Sequence, residues 1–167
     1  MGSTDAGAAI VSFGPNDAVG LAEAEVGCFD RPWSAEAYAT EIARPFGQVF
    51  GVRGPGGSIV AACCLWTLPP SGELLRIFTV PSARRRGLAA ALLGRAADLA
   101  RRAGCREVQL EVDARNAPAR RLYARSGFSE IGRRGDYYGP GGDALILSRR
   151  LVPGTPDAPL DGTRPLS

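Results

Sequence analysis

The stretch from Leu74 to Ala103, LLRIFTVPSARRRGLAAALLGRAADLARRA, constrains the fold more than any other part of the chain. Leu74 to Thr79 is an apolar run of strand length. A turn at Val80-Pro81-Ser82, three consecutive arginines and Gly87 lead into an alanine- and leucine-rich segment with strong helix-forming composition. The pattern predicts a helix over Arg86 to Ala103, closed by Gly104 as a left-handed C-terminal cap. Glu107 to Asp113 (EVQLEVD) reads as the next strand, with Val108, Leu110 and Val112 on one face. Strand, helix and strand in this order imply a right-handed parallel crossover.

The junction between the strand and the helix has chemical consequences. The first-turn N–H groups of a helix have no intrahelical partner, and the helix dipole adds partial positive charge there. Such an end binds anions, phosphate above all. Gly87 has no Cβ and lets the backbone approach a pyrophosphate closely. A Walker loop is excluded, because it requires GxxxxGK[ST] and the chain contains no lysine. The dinucleotide fingerprint GxGxxG, with an acidic residue further on, does not describe Arg84-x-x-Gly87-x-Ala89 either. A basic helix start on a solvated face is the alternative reading of the junction alone.

Composition narrows the class. The 167 residues suit one domain with one sizeable core. No apolar run reaches the ~20 residues of a membrane span, and MGSTDAGAAI lacks the basic and apolar regions of a secretory signal. A cytoplasmic protein is expected. Cys28, Cys63, Cys64 and Cys105 form no CxxC and there is no histidine, so neither zinc spacing nor a disulfide framework is expected. The cysteines read as buried, reduced thiols, and no metal is expected. Without histidine, Ser-His-Asp and Cys-His mechanisms are unavailable, leaving Glu, Asp, Tyr, Cys or water to move protons. The net charge of +3, carried by 20 arginines, suits an anionic ligand better than a long nucleic-acid groove.

The rest of the chain completes an alternating pattern. Ala8 to Phe13 reads as a short strand, and Pro15 to Val26 as a helix with Val19, Ala22 and Val26 on one face. Ser34 is an N-cap for a second helix, with Glu36 in its first turn and Tyr38 and Ile42 facing inward. Gln48 to Arg53 and Ser58 to Thr67 are strands joined by Gly54-Pro55-Gly56-Gly57. Asn116 to Ser126 is a short helix with Pro118 in its first turn and Gly127 beyond its end. Phe128 to Arg134 and Ala144 to Leu151 are the last strands, and the glycine-rich run between them, Gly139 to Gly142, suggests a mobile lip. Residues 1–7 are expected to be flexible, and residues 152–167, without periodicity, to be disordered.

The order β-α-α-β-β-β-α-β-α-β-β, together with Arg84-x-x-Gly87-x-Ala89, resembles the GNAT superfamily of acetyl-CoA-dependent N-acetyltransferases over residues 8–151. Three local matches resemble the RimI-type ribosomal-protein N-terminal alanine acetyltransferases. They are Phe29 to Ser34, ending Pro32-Trp33-Ser34; Leu110-Glu111-Val112 with Asn116, Tyr123, Gly127 and Phe128; and Arg133-Arg134-x-x-Tyr137-Tyr138. The resemblance implies an α/β fold, the GNAT acyl-CoA N-acyltransferase fold, with a mixed central sheet of about seven strands flanked by about four helices.

It also implies roles. Ile77, Phe78 and Thr79 match the strand that pairs through its backbone with the cofactor's pantetheine arm. Arg84, Arg85, Arg86, Gly87, Leu88, Ala89 and Ala90 match the pyrophosphate loop, where Ala89 replaces a glycine common in the family. Asn116 matches a cofactor contact and is equally a helix cap. Glu111, on the strand face opposite Val108, Leu110 and Val112, matches the general base, and Tyr123 the general acid that protonates the CoA thiolate. Asp113, on the same face as Glu111, departs from the basic or neutral residue often found there and could tune Glu111 or compete with it. Trp33, Tyr137 and Tyr138 match walls of an acceptor groove.

The activity implied is acetyl transfer from acetyl-CoA to a protein N-terminus, that of a small-subunit ribosomal protein beginning with alanine, by direct attack in a ternary complex. An α-amine has a pKa of ~8 against ~10.4 for lysine, about 3.3 kcal/mol less deprotonation work at neutral pH. That favours an N-terminus for a single glutamate base. Acetylation of a small amine, such as an amino acid, polyamine or antibiotic, and a non-catalytic acyl-CoA-binding module remain open. Direct nucleic-acid binding and a membrane partner are not expected.

Overall fold

The computed structural model describes residues 8–153, so the expectations of a flexible N-terminus and a disordered tail fall, except for Val152 and Pro153, outside the described residues. The strands are β1 (Ile10–Ser12), β2 (Gly47–Arg53), β3 (Ile59–Leu68), β4 (Ser71–Thr79), β5 (Glu107–Asp113), β6 (Ser129–Arg134) and β7 (Ala144–Arg150). The helices are α1 (Ala18–Glu25), α2 (Ala35–Ala43), α3 (Leu88–Arg102) and α4 (Ala117–Arg125). The strands form one sheet in the order β1-β2-β3-β4-β5-β7-β6. Only β4 and β5 run parallel, and every other neighbouring pair is antiparallel. No helix among the described residues is long and apolar enough to cross a membrane.

The sheet carries a core on each face. Helix α3 buries Leu88, Leu92, Leu93, Ala96, Ala97 and Ala100 along one stripe. The stripe packs on Cys63, Leu65, Leu74, Val108, Leu110, Val112, Leu145 and Leu147, and Tyr123 and Phe128 join this core from the α4 end. Burial of the three leucines alone contributes on the order of 5–8 kcal/mol, an upper figure because unfolded chains are not fully extended. On the other face, α1 and α2 cover Val49, Ala62, Cys64 and Phe78 through Ala18, Leu21 and Tyr38. The adjacent Cys63 and Cys64 therefore enter different cores, as strand alternation requires.

Caps and turns follow the local chemistry. Ser34 Oγ accepts the Ala37 N–H at 3.1 Å and Asn116 Oδ1 accepts the Ala119 N–H at 3.2 Å. Gly104 and Gly127 close α3 and α4 at φ +91° and +88°, the left-handed region that glycine occupies without strain.

Three expectations need correction. Helix α1 buries Ala18, Leu21 and Glu25, while Val19 and Val26 are exposed. Its sequence, AVGLAEAE, is apolar on most sides, so packing rather than periodicity selects the inner face. Helix α3 starts at Leu88 and not at Arg86, because Arg85 and Gly87 both take left-handed φ, +62° and +76°. Cys28 is only half-buried, unlike Cys63, Cys64 and Cys105.

Candidate active site

Strands β4 and β5 pair only over Ser71–Glu73 against Glu107–Gln109. Beyond that, β4 stays with β3 as far as Thr79, opposite Ala61, and β5 stays with β7 as far as Asp113, opposite Ala144. Each strand follows its outer neighbour, and a wedge opens between their C-terminal ends. Along Ile77, Phe78 and Thr79 the edge of β4 toward the wedge has no strand partner, and apart from Thr79 O, which Arg84 takes, the backbone groups that β3 does not engage suit an extended ligand. The closed end is pinned by Glu107. Its Oε1 accepts from Ser71 Oγ and Gln109 Nε2, both at 2.9 Å, and its Oε2 from Ser148 Oγ at 2.7 Å. These bonds hold the carboxyl below its ordinary pKa.

The turn after β4 brings the start of α3 to the mouth of the wedge. Left-handed backbone at Arg85 and Gly87 turns the chain so that Leu88, Ala89 and Ala90 form the first helical turn, with unpaired N–H groups. A Cβ on Gly87 would meet nothing within 4 Å, so glycine stands there for its φ. The arginines divide. Arg84 Nε donates to Thr79 O at 3.0 Å and Arg86 Nη2 to Ser82 O at 3.3 Å, so both brace the turn. Thr79 Oγ1 is buried without a hydrogen-bond partner, an orphaned polar atom beside the wedge that a polar ligand could satisfy.

Glu111 and Tyr123 come from opposite faces of the sheet. Glu111 is exposed, on the β5 face away from Val108, Leu110 and Val112. Tyr123, on α4, is buried among the α3-side core, edge-to-face with Phe128 at 5.8 Å between ring centroids. Burial pushes its phenol well above the ordinary value, with Cys63 and Tyr138 adding to the effect. Burial and then the Glu111 carboxylate likewise push Tyr138 up.

Residues 18–128, which include both flanks of the wedge, match the Acetyltransferase (GNAT) family. The chain belongs to the GNAT acetyltransferase family. Its sheet of seven strands with four helices is the GNAT fold. The N-alpha-acetyltransferase RimI of Mycobacterium tuberculosis is 35% identical over 140 residues, 80% of this chain and 86% of the relative. A candidate [ribosomal protein bS18]-alanine N-acetyltransferase of Bacillus subtilis is 28% identical over 127 residues, 75% of this chain and 83% of the relative. The crystal structure of the ribosomal-protein-S18-alanine N-acetyltransferase from Escherichia coli superposes with a TM-score of 0.78. At 26% identity, that comparison covers 90% of this chain and 97% of the other.

Around this GNAT wedge the remaining side chains sort themselves. Asp113 is held by Arg115, which donates to Oδ1 through its backbone N–H at 2.9 Å and Nε at 3.0 Å and to Oδ2 through Nη2 at 2.8 Å. These bonds lower the Asp113 pKa, and a carboxylate so occupied is a poor competitor for a substrate proton. Asn116 spends its amide oxygen on the α4 cap. Tyr137 and Tyr138 are exposed and meet edge-to-face at 5.0 Å. Hydrogen bonds brace their loop. Gly141 N–H donates to Asp136 Oδ1 at 2.7 Å, Asp136 N–H to Asp143 Oδ1 at 2.9 Å, and Tyr138 N–H to Gly142 O at 2.8 Å. Trp33 is half-buried against Tyr38, at 5.3 Å between ring centroids, on the α1–α2 face.

Glu25 and Arg76 escaped sequence reasoning, whereas Arg134 stood in the motif Arg133-Arg134-x-x-Tyr137-Tyr138 without a role of its own. Glu25 is fully buried and ion-pairs with Arg76 on β4. Arg134 contacts both Glu111 and Tyr137. A signal for Arg76 existed, a lone cation in an apolar strand, but its partner lies 51 residues away. A groove of about 450 Å³, lined by Arg120, Arg121, Glu130, Leu145 and Leu147 among others, lies beside α4 and includes none of the wedge residues.

Proposed function

We propose that this protein is an acetyl-CoA-dependent N-acetyltransferase acting on the N-terminal α-amine of a protein, the alanine terminus of a small-subunit ribosomal protein being the best-supported acceptor. The observation that carries the reading is the wedge itself: a free β4 edge, an unpaired helix start at its mouth, and an acid and a base candidate on its two sides. The named relatives support the choice of a protein terminus, and a cytoplasmic setting goes with that acceptor.

The chain's own groups fit an acyl-CoA. The first-turn N–H groups of Leu88, Ala89 and Ala90, with Arg85, suit a pyrophosphate. The edge along Ile77 to Thr79 suits an extended arm with amide groups, and Asn116 stands at the start of α4. Acetyl-CoA would supply the acetyl group as a thioester, whose C–S bond breaks as the C–N bond to the amine forms. Glu111 takes the ammonium proton, through water, so that the amine lone pair is free to attack. Tyr123 delivers its hydroxyl proton to the departing sulfur while the attacking nitrogen sheds its second proton, through water, to restore the phenol, and the raised pKa keeps Tyr123 protonated until then. Trp33, Tyr137 and Tyr138 offer flat aromatic walls to an extended peptide.

A thiol-release assay with acetyl-CoA and a short peptide beginning with alanine, run beside an N-terminally blocked copy, tests the reading. Turnover on the free terminus alone is expected, falling ~10²-fold or more in Glu111→Gln. Turnover of small amines but no peptide would replace the acceptor. No turnover with any amine, while acetyl-CoA raises the melting temperature, would leave a binding module.

A further inference from the structure

Strict alternation along β4 would send Arg76 the same way as Leu74, into the α3-side core. It does not go there. Cys64 lies opposite Arg76 while the next residue, Leu65, lies opposite Leu74, so Leu75 is the extra residue of a β-bulge. The bulge puts Leu75 and Arg76 on one side, that of α1 and α2, and alternation then resumes with Ile77 toward α3 and Phe78 toward α1.

On that side Arg76 gathers the loop between α1 and α2. Its Nε pairs with Glu25 Oε1 and its Nη2 donates to Arg31 O at 2.8 Å. Its guanidinium carbon lies 3.8 Å from the Phe29 ring centroid and 5.2 Å from that of Trp33. The second oxygen of Glu25 accepts the Trp33 backbone N–H at 2.6 Å. Glu25 is 0% exposed, so the pair is desolvated on the carboxylate side. A buried ion pair is weak evidence for stability and is better suited to fixing a register. The planar fork of arginine can hold a carboxylate, a carbonyl and an aromatic face at once, which lysine cannot.

We propose that Arg76 is a positioning residue for the acceptor amine: it fixes the Phe29–Trp33 loop to the strand whose next residues, Ile77 to Thr79, face the wedge. This rests on the acceptor reading above, in which Trp33 forms one wall of the groove. Arg76 touches no reacting atom. It sets the distance between the wall that grips the acceptor and the strand edge that holds the acyl donor.

The test uses Arg76→Lys, which keeps a cation beside Glu25 but loses the fork and the stack. The expected result is a peptide KM raised about tenfold or more with the acetyl-CoA KM within about twofold of wild type. Trp33 emission, read in a Trp66→Phe background that leaves one tryptophan, should move to longer wavelength as the loop loosens. Glu25→Leu/Arg76→Met removes both charges together and gives the same readings if Arg76→Lys does not fold; Arg76→Ala alone would strand a buried carboxylate. Equal changes in both KM values, or an unmoved Trp33 emission, would overturn the proposal. If wild type does not turn over the peptide, the acceptor reading falls, and the emission measurement alone decides whether Arg76 holds the loop.

Discussion

Arg134 Nη2 lies 3.3 Å from Glu111 Oε1, and the same guanidinium is 5.6 Å from the ring centroid of Tyr137. One side chain at the end of β6 thus links the base candidate on β5 to an aromatic of the 135–143 loop. Both partners are solvent-accessible, 55% for Arg134 and 32% for Glu111. An ion pair so exposed holds little energy, and Glu111 can exchange Arg134 for a substrate ammonium at small cost.

Arg134→Gln should therefore change stability by less than about 1 kcal/mol. It should raise the KM for the acceptor peptide, because Tyr137 loses its stacking partner, and leave acetyl-CoA binding unchanged. Thermal melts and titration calorimetry with acetyl-CoA check the two halves. A large drop in melting temperature would mean that the contact holds the fold.

Tyr123→Phe removes one oxygen from a buried ring and keeps its contact with Phe128. The turnover number should fall by roughly 10²-fold or more with the fold intact. Because its pKa lies above the ordinary value of about 10, wild-type turnover should show no alkaline loss from this group below about pH 10. A pH–rate profile with an ionisation near 8–9 that vanishes in Tyr123→Phe would count against the assignment.

Glu107 joins β4, β5 and β7 at the closed end of the wedge through Ser71, Gln109 and Ser148. Its pKa is lowered by the Ser148 and then the Ser71 hydroxyl, so the folded protein binds this proton more weakly than the unfolded chain. The stability it contributes is complete above the unfolded value of about 4.3 and is lost as pH falls through the folded value. Glu107→Gln should thus lower the melting temperature at pH 7 and converge with wild type in acid. Melts across pH 3 to 7 would show it, and parallel curves would contradict it.

Gly51 sits where β2 crosses beneath Phe13. A Cβ there would lie 2.1 Å from Ala61 O and 2.8 Å from Phe13 Cε2. The first obstacle is backbone and cannot rotate aside. Gly51→Ala should cost about 3 kcal/mol, some 6–12 °C in melting temperature for a domain of this size. Gly94→Ala, with nothing within 4 Å in the middle of α3, is the control and should be neutral or stabilising.

The sequence by itself determined every feature that depends on neighbours along the chain. Alternating Val108, Leu110 and Val112 set Glu111 on the opposite face of β5, Ser34 and Asn116 capped their helices, and glycines closed α3 and α4. The element order and the phosphate-type junction followed from the same local signals, and with them the family. The tertiary structure alone decided features that depend on partners far along the chain. The parting of β4 from β5 depends on which outer neighbour each strand keeps. The bulge at Leu75 is visible only in the register against β3. The inner face of α1 is set by the packing of Ala18 and Leu21 and by Glu25 meeting Arg76, 51 residues away. Local periodicity reports which residues avoid water, whereas a buried charge and a gap between strands depend on non-local pairings, which no window along the chain contains.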